Sequence, residues 1–223
     1  MIEAVIFDMD GVLIDSEPIH KKVEKRVFKE IGANISEEEH NSYVGMACKD
    51  MWKNIKEKHD LIREFAIEEL VEMGVESYID YILSNKYIEP IEGVVELIDD
   101  LYKKDIKLAI ASSGVRKSVD TVVKMFKLEK YFKVTVSGDD VKNGKPSPEI
   151  FLKAAKALNV DPKNCIVFED SKNGVHAAKK AEMKCIGFKN LNSGDQDLSS
   201  ADIIINDYLE INHKRLRNLY ELS

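Results

Sequence analysis

Residues 4–15 read AVIFDMDGVLID: a short apolar run, then the aspartates Asp8 and Asp10, then Gly11. The apolar run predicts a buried first strand over residues 4–7. Carboxylates that share a small volume at the end of such a strand repel one another unless a cation compensates their charge. This stretch therefore predicts a strand whose carboxyl end carries an anionic site, and the rest of the chain has to supply what stabilises that site.

Similar apolar runs recur along the chain, and helix-length segments separate most of them. They cover residues 107–111, 134–136, 165–168, 185–188 and 203–205. Alternation of continuous apolar strands with helices is typical of a parallel sheet that is covered on both faces. Residues 17–85 break the alternation, because they contain only amphipathic helical stretches. We therefore predict an α/β protein with a Rossmann-like parallel-sheet core, residues 1–15 and 88–223, and an inserted α-helical cap domain, residues 16–87.

The composition bounds the class of protein. The 223 residues carry a formal net charge of −7, which disfavours binding to nucleic acid. No apolar stretch approaches the roughly 20 residues of a membrane span, and the N-terminus does not resemble a signal peptide. The three cysteines form no CxxC pair, so neither a disulfide framework nor a zinc site is indicated. We expect a cytoplasmic monomer that binds neither nucleic acid nor membrane.

Polar side chains follow the predicted strands. Ser112 and Ser113 come directly after residues 107–111, and Glu169 and Asp170 come directly after residues 165–168. Lys145 precedes a predicted helix in the stretch NGKPSPEIF. Ligands of open α/β sheets bind beyond the carboxyl ends of the strands. We therefore expect these side chains to gather with the two aspartates of the first strand at one edge of the sheet.

Each cluster also has a structural interpretation when it is taken by itself. DxDG can be a turn, Ser-Ser-Gly a helix cap, and an acidic pair can complement a helix N-terminus. A calcium-binding EF-hand loop does not fit, because Leu13 and Ile19 occupy the positions of its glycine and its glutamate. The conjunction of all the clusters at strand ends favours a site over separate structural features.

The residue types point to phosphoryl transfer. Four carboxylates need a cation, and their hard oxygens select Mg²⁺ or a similar ion, which in proteins typically pairs with a substrate phosphate. Serine hydroxyls and backbone N–H groups suit phosphate oxygens, and Lys145 adds a positive charge. In such a site, positioning and charge stabilisation supply most of the catalysis.

The same residues resemble the four motifs of the haloacid dehalogenase superfamily. DMDGVLIDSEP is similar to its first motif, Ser112 in AIASSG to the second, Lys145 in GKPSPEIF to the third and FEDSKNGVHAA to the fourth. The helical insertion after the first motif looks like the cap of the branch that contains β-phosphoglucomutase and many small phosphatases. Dehalogenation is not implied, because the dehalogenases proper lack the aspartate at position 10 and use no metal.

The resemblance implies a role for each matching residue. Asp8 would be the nucleophile that forms an aspartyl-phosphate, and Asp10 would act as general acid and then as general base. The transferring phosphoryl group would be bound by Ser112, Ser113 and Lys145. The cofactor Mg²⁺ would be held or supported by Asp8, Asp10 (through its backbone carbonyl), Glu169 and Asp170.

The acceptor of the phosphoryl group stays open between water and a sugar hydroxyl. β-Phosphoglucomutase also has a histidine where this chain has His20, and its cap has a GxSR stretch whose arginine holds the distal phosphate. Here that stretch runs from Gly45 to Lys49, with Cys48 at the arginine position and the lysine displaced by one residue. A lysine does not reproduce the bidentate geometry of a guanidinium.

We therefore expect a hydrolase of small phosphorylated metabolites, with sugar phosphates as the substrate class. His20, Gly45 and Lys49 are the candidate substrate contacts in the cap. A β-phosphoglucomutase is the alternative within the same chemistry. A non-catalytic phosphate-binding or regulatory module is the alternative from another class, because fold alone does not establish activity.

Overall fold

The computed structural model describes residues 2–43, 48–59 and 64–221. The chain divides into two compact units. The core unit comprises Met1–Asp15 and Glu89–Ser223, and the helical unit comprises Ser16–Ile88. In the described ranges, no helix is both long and apolar enough to cross a lipid bilayer.

Six parallel strands form the sheet of the core unit. In chain order they are β1 Ala4–Phe7, β2 Lys107–Ala111, β3 Val134–Val136, β4 Cys165–Glu169, β5 Lys184–Phe188 and β6 Ile203–Ile205. The order across the sheet is β3-β2-β1-β4-β5-β6, which places β1 in the middle between β2 and β4. The predicted parallel α/β fold is confirmed. β4 extends one residue beyond its predicted end and includes Glu169.

The strands are apolar because both faces of the sheet are covered. All four residues of β1 and all five of β4 are buried, as is Cys185 in β5. Burial of each large apolar side chain contributes about 1.5–3 kcal/mol. Substitution in these strands would therefore disturb the ends from which the charged residues project.

Four helices make up the described part of the helical unit: α1 Glu17–Glu30, α2 Glu37–Asn41, α3 Cys48–Lys58 and α4 Ile67–Ser84. This part of the chain contains no strand, as the sequence pattern predicts. Trp52 is fully buried, and its ring lies edge-on to Phe28 with the ring centroids 5.5 Å apart. Tyr78 is also buried. Trp52 and Tyr78 therefore serve the packing of the unit.

The described part of the core unit contains five α-helices: α5 Val94–Lys103, α6 Arg116–Met125, α7 Glu149–Leu158, α8 Lys172–Lys180 and α9 His213–Glu221. Each of α5 to α8 buries one apolar stripe; that of α7 includes Ile150, Phe151 and Ala154. This spacing follows the helical period. The helices thereby fix the loops that precede and follow them at the sheet edges.

Candidate active site

Three buried carboxylates lie together where β1 and β4 end. Asp8 follows β1, Glu169 ends β4 and Asp170 follows it, and one oxygen of each lies within 4.8 Å of the others. The register of the two strands pairs Phe7 with Phe168, and the Asp8 N–H donates to the Phe168 carbonyl at 3.0 Å. The sheet itself therefore brings the first-strand aspartate beside the acidic pair, as the sequence predicts.

Lys145 provides positive charge inside this cluster. Its Nζ lies 2.8 Å from Asp8 Oδ1 and 2.5 Å from Glu169 Oε1, and its side chain is only 6% exposed. Burial by itself would lower the pKa of a lysine, but the carboxylates of Asp8 and Glu169 raise the pKa of Lys145 above its usual value. Lys145 is therefore a permanent cation that bridges two of the three carboxylates.

One lysine does not neutralise three carboxylates. The pKa of Asp8 is raised to about 7: burial is the largest cause, the charge of Lys145 opposes it, and the charges of Glu169 and Asp10 add to the rise. Burial also raises the pKa of Asp170 well above its usual value, and the charges of Glu169 and Asp8 add to that effect. A divalent cation would compensate this excess charge, and carboxylate oxygens are the donors that hard cations prefer. The donor set therefore fits a divalent metal ion.

Asp10 and Ser112 meet at the same edge of the sheet. The Ser112 N–H donates to the carbonyl of Val136 at 3.0 Å, which fixes the residue at the end of β2. Its hydroxyl donates to Asp10 Oδ2 at 3.4 Å and accepts a hydrogen bond from the Gly114 N–H at 3.0 Å. Ser112 is fully buried, whereas Ser113 beside it is exposed. The structure thus places a hydroxyl next to the second aspartate of the first motif.

Two glycines make room for the acidic pair. A Cβ atom on Gly174, in α8, would lie 1.8 Å from the Glu169 carboxylate. Gly11 has a φ of +72°, and a Cβ atom there would lie 1.9 Å from Asp170 Oδ2. Such approaches are possible only without a side chain. These glycines therefore allow Glu169 and Asp170 to pack against the neighbouring backbone.

Ser171 orients Glu169, a function that the motif reasoning did not assign to it. Its backbone N–H and its hydroxyl both donate to Glu169 Oε2, at 3.0 and 2.9 Å. The same hydroxyl accepts a hydrogen bond from the Gly174 N–H and so caps α8. Serine just before a helical pattern is a recognisable N-cap signal, which could have identified this residue.

The candidate contacts in the helical unit have local partners. The ring of His20 stacks on Tyr78 with the centroids 4.5 Å apart. Lys49 Nζ lies 3.2 Å from a carboxylate oxygen of Glu68, and both side chains are exposed. Such exposed ion pairs contribute about 0–1 kcal/mol, so Lys49 can exchange its partner at little cost. Gly45 lies outside the described residues.

The sequence and fold match known proteins along most of the chain. Residues 5–188 match the family model of the haloacid dehalogenase-like hydrolases. The phosphorylated carbohydrates phosphatase of Thermotoga maritima is 36% identical over 198 residues, which cover 83% of this chain and 84% of that protein.

Two solved structures extend the likeness to the whole fold. A β-phosphoglucomutase from Clostridium difficile matches with a TM-score of 0.84 at 26% identity, covering 100% of this chain and 98% of that one. CbbY from Rhodobacter sphaeroides, in complex with xylulose-1,5-bisphosphate, matches with a TM-score of 0.83 at 25% identity, covering 94% and 96% of the two chains.

The site geometry and these matches agree with the resemblance that the sequence motifs indicate. The family match includes the strands that carry Asp8, Ser112 and Glu169. The chain belongs to the haloacid dehalogenase-like hydrolase family and is a phosphoric monoester hydrolase.

Proposed function

We propose that the chain is a Mg²⁺-dependent hydrolase of small phosphorylated sugars that works through an aspartyl-phosphate on Asp8. The observation that carries this proposal is the buried cluster in which Lys145 bridges Asp8 and Glu169 beside Asp170. The substrate class is supported by the Thermotoga relative, which is named for phosphorylated carbohydrates.

In the proposed first half-reaction, a carboxylate oxygen of Asp8 attacks phosphorus and the bond from phosphorus to the ester oxygen breaks. Asp10 donates its proton to that leaving oxygen. Ser112, Ser113 and Lys145 bind the phosphoryl oxygens, so that donors already in place meet the charge that develops on them. The product of this step is phosphorylated Asp8 and a free alcohol.

In the proposed second half-reaction, Asp10 accepts a proton from a water molecule as the water oxygen attacks phosphorus. The bond between phosphorus and the Asp8 oxygen breaks, and inorganic phosphate leaves. When bound, Mg²⁺ supplies the positive charge that compensates the carboxylates and the phosphoryl oxygens. We assign Asp8, Asp170 and the backbone carbonyl of Asp10 as its ligands, with Glu169 supporting the site.

β-Phosphoglucomutase activity is the second candidate, and the likeness to the Clostridium structure favours it. The two reactions share every residue of the core unit and differ in whether water or a sugar hydroxyl accepts the phosphoryl group. We propose that residues 16–87 act as the cap domain that decides between them, with His20, Gly45 and Lys49 as substrate contacts. Cys48 at the arginine position favours hydrolysis, because no guanidinium is there to hold a second phosphate.

A substrate panel tests this proposal. The full chain is incubated with phosphorylated sugars, nucleotides and an aryl phosphate, with and without Mg²⁺, and both free phosphate and isomerised sugar are measured. We expect Mg²⁺-dependent release of phosphate, with sugar phosphates turned over fastest. Efficient conversion of β-glucose 1-phosphate to glucose 6-phosphate, primed by the bisphosphate, would reverse our ranking. If neither free phosphate nor isomerised sugar forms with any substrate, that result would favour a non-catalytic module.

A further inference from the structure

A loop outside the four motifs forms hydrogen bonds to the segments that follow β1 and β4 at the candidate site. It follows β5 and comprises residues 189–194, here called the post-β5 loop. The hydroxyl of Ser193 in this loop donates a hydrogen bond to Asp170 Oδ2. Asn190 Nδ2 donates to the backbone carbonyl of Gly11 at 3.1 Å. One short loop thus bonds to a carboxylate of the acidic cluster and to the turn that carries Asp8 and Asp10.

A second set of hydrogen bonds fixes the post-β5 loop itself. Asp15 accepts from Asn190 Nδ2 on one carboxylate oxygen, at 3.2 Å, and from Asn192 Nδ2 on the other, at 2.6 Å. The side-chain oxygen of Asn190 accepts from the Asn192 N–H at 2.9 Å, which sets the orientation of the Asn190 amide. The amide nitrogen and the amide oxygen of Asn190 are therefore both hydrogen-bonded, and these bonds hold the post-β5 loop against residues 11–15.

Asp170 Oδ2 lies between this loop and the first turn. A Cβ atom on Gly11 would lie 1.9 Å from Asp170 Oδ2 and 2.9 Å from Ser193 Oγ. Asp170 is only 6% exposed, so little solvent reaches the carboxylate to which the serine bonds. A hydroxyl donor on one oxygen of a buried carboxylate restricts rotation of the group. Partners of this kind orient ligating carboxylates in metal sites.

We propose that Ser193 is a positioning residue for divalent-cation binding, which it supports by orienting Asp170. Asn190 and Asn192 hold the post-β5 loop so that the hydroxyl stays in place. The inference rests on the proposed function, because it takes Asp170 as a ligand of the cation. It adds a determinant that lies 23 residues beyond Asp170 and outside every motif of the sequence analysis.

Calorimetric titration of the substrate-free full chain with Mg²⁺ tests this proposal. Ser193→Ala removes the hydroxyl, Ser193→Thr keeps it, and Ser193→Cys keeps the size with a weaker donor. Ser199→Ala is the matched control, because Ser199 lies in the same connection between β5 and β6 but bonds to Asp197. We expect the Kd for Mg²⁺ to rise about tenfold in Ser193→Ala, less in Ser193→Cys, and to stay near wild type in Ser193→Thr and Ser199→Ala.

The outcomes separate this inference from the function on which it rests. A raised Kd in Ser193→Ala supports the inference whatever its melting temperature without metal, whereas a purely structural serine would lower the melting temperature and leave the Kd unchanged. Equal Mg²⁺ affinity in wild type and Ser193→Ala would overturn the inference even if the enzyme hydrolyses phosphate esters. If Ser193→Ala does not fold, unchanged affinity in Ser193→Cys would overturn it. A wild-type chain that neither binds Mg²⁺ nor hydrolyses esters would contradict the proposed function instead.

Discussion

In the acidic cluster, burial raises the pKa of the carboxyl groups and the charge of Lys145 lowers it. Asp8 is 93% buried and has a raised pKa, although Lys145 lies only 2.8 Å away. A nucleophile has to be deprotonated, so the metal-free site opposes the ionisation that the proposed reaction needs. A cation that binds Asp8 and Asp170 resolves this conflict, because metal binding favours the deprotonated ligands.

The raised pKa of Asp8 predicts how the metal-free stability depends on pH. The pKa of this carboxyl is higher in the folded protein, about 7, than in the unfolded chain. The free energy of unfolding of the protein therefore falls as the pH rises from the unfolded pKa through the folded pKa. In Asp8→Asn this loss disappears. We therefore expect the free energy of unfolding of Asp8→Asn, relative to wild type, to increase between about pH 5 and about pH 8. Urea denaturation in EDTA measures this difference.

Mg²⁺ should oppose the loss of wild-type stability that we expect with rising pH. Because the ligands bind as carboxylates, we expect Mg²⁺ to raise the stability of wild type more at about pH 8 than at about pH 5. A pH-independent difference between wild type and Asp8→Asn in EDTA would contradict the assigned direction of the Asp8 pKa.

Asp10 is the residue whose replacement should separate binding from proton transfer. We expect Asp10→Asn to keep Mg²⁺ binding, because the backbone carbonyl that we assign as its ligand is unchanged. Turnover of a sugar phosphate should fall about 10²- to 10⁴-fold, the usual contribution of a positioned acid or base. Steady-state kinetics and Mg²⁺ titration of the same preparation check both statements. Near-normal turnover would show that another group transfers the proton.

At the scale of elements, the first turn of α8 packs directly against the side chain of Glu169. Glu169 fills the volume that a Cβ atom on Gly174 would need, and Ser171 bonds to both residues. The close approach of helix and carboxylate is therefore possible only with glycine at this position.

Two glycines within helices give a matched pair of substitutions. We expect Gly174→Ala to lower the melting temperature and the phosphatase rate, because the buried Glu169 carboxylate has to move. Gly74→Ala in α4 should keep the rate and raise helix stability by up to about 1 kcal/mol, since its Cβ atom would meet only Trp52 at 3.8 Å. Thermal unfolding and activity of both variants measure the effect. Equal behaviour of the two variants would show that Gly174 makes no special contact.

The strands and the four motifs could be predicted from the sequence, because apolar period and residue type are local signals. The observed β4 is one residue longer than the predicted strand, because Glu169 still pairs with Gly187 of β5. The post-β5 loop could not be predicted in this way. Asn190 and Asp15 are 175 residues apart, and only the strand order brings their segments together.

For the whole molecule, the division into two units matches the division of the proposed chemistry. The acidic cluster, Lys145 and Ser112 all lie in the core unit, and the register of β1 with β4 accounts for the proximity of Asp8 to Glu169 and Asp170. The substrate preference is the part that the sequence motifs leave open, because the departures from β-phosphoglucomutase fall between Gly45 and Lys49. The core unit therefore carries the residues of the proposed chemistry, and the substrate panel measures the specificity.

The most direct test of the central claim is whether Asp8 carries the phosphoryl group during turnover. The full chain with Mg²⁺ and an aryl phosphate is quenched in acid, and the phosphorylated peptide is located by mass spectrometry. We predict phosphate on Asp8 in wild type and more of it in Asp10→Asn, because an aryl leaving group needs no acid whereas the hydrolysis step still needs the base. We predict neither phosphate on this peptide nor turnover in Asp8→Asn. Undiminished phosphate release by Asp8→Asn would contradict the account.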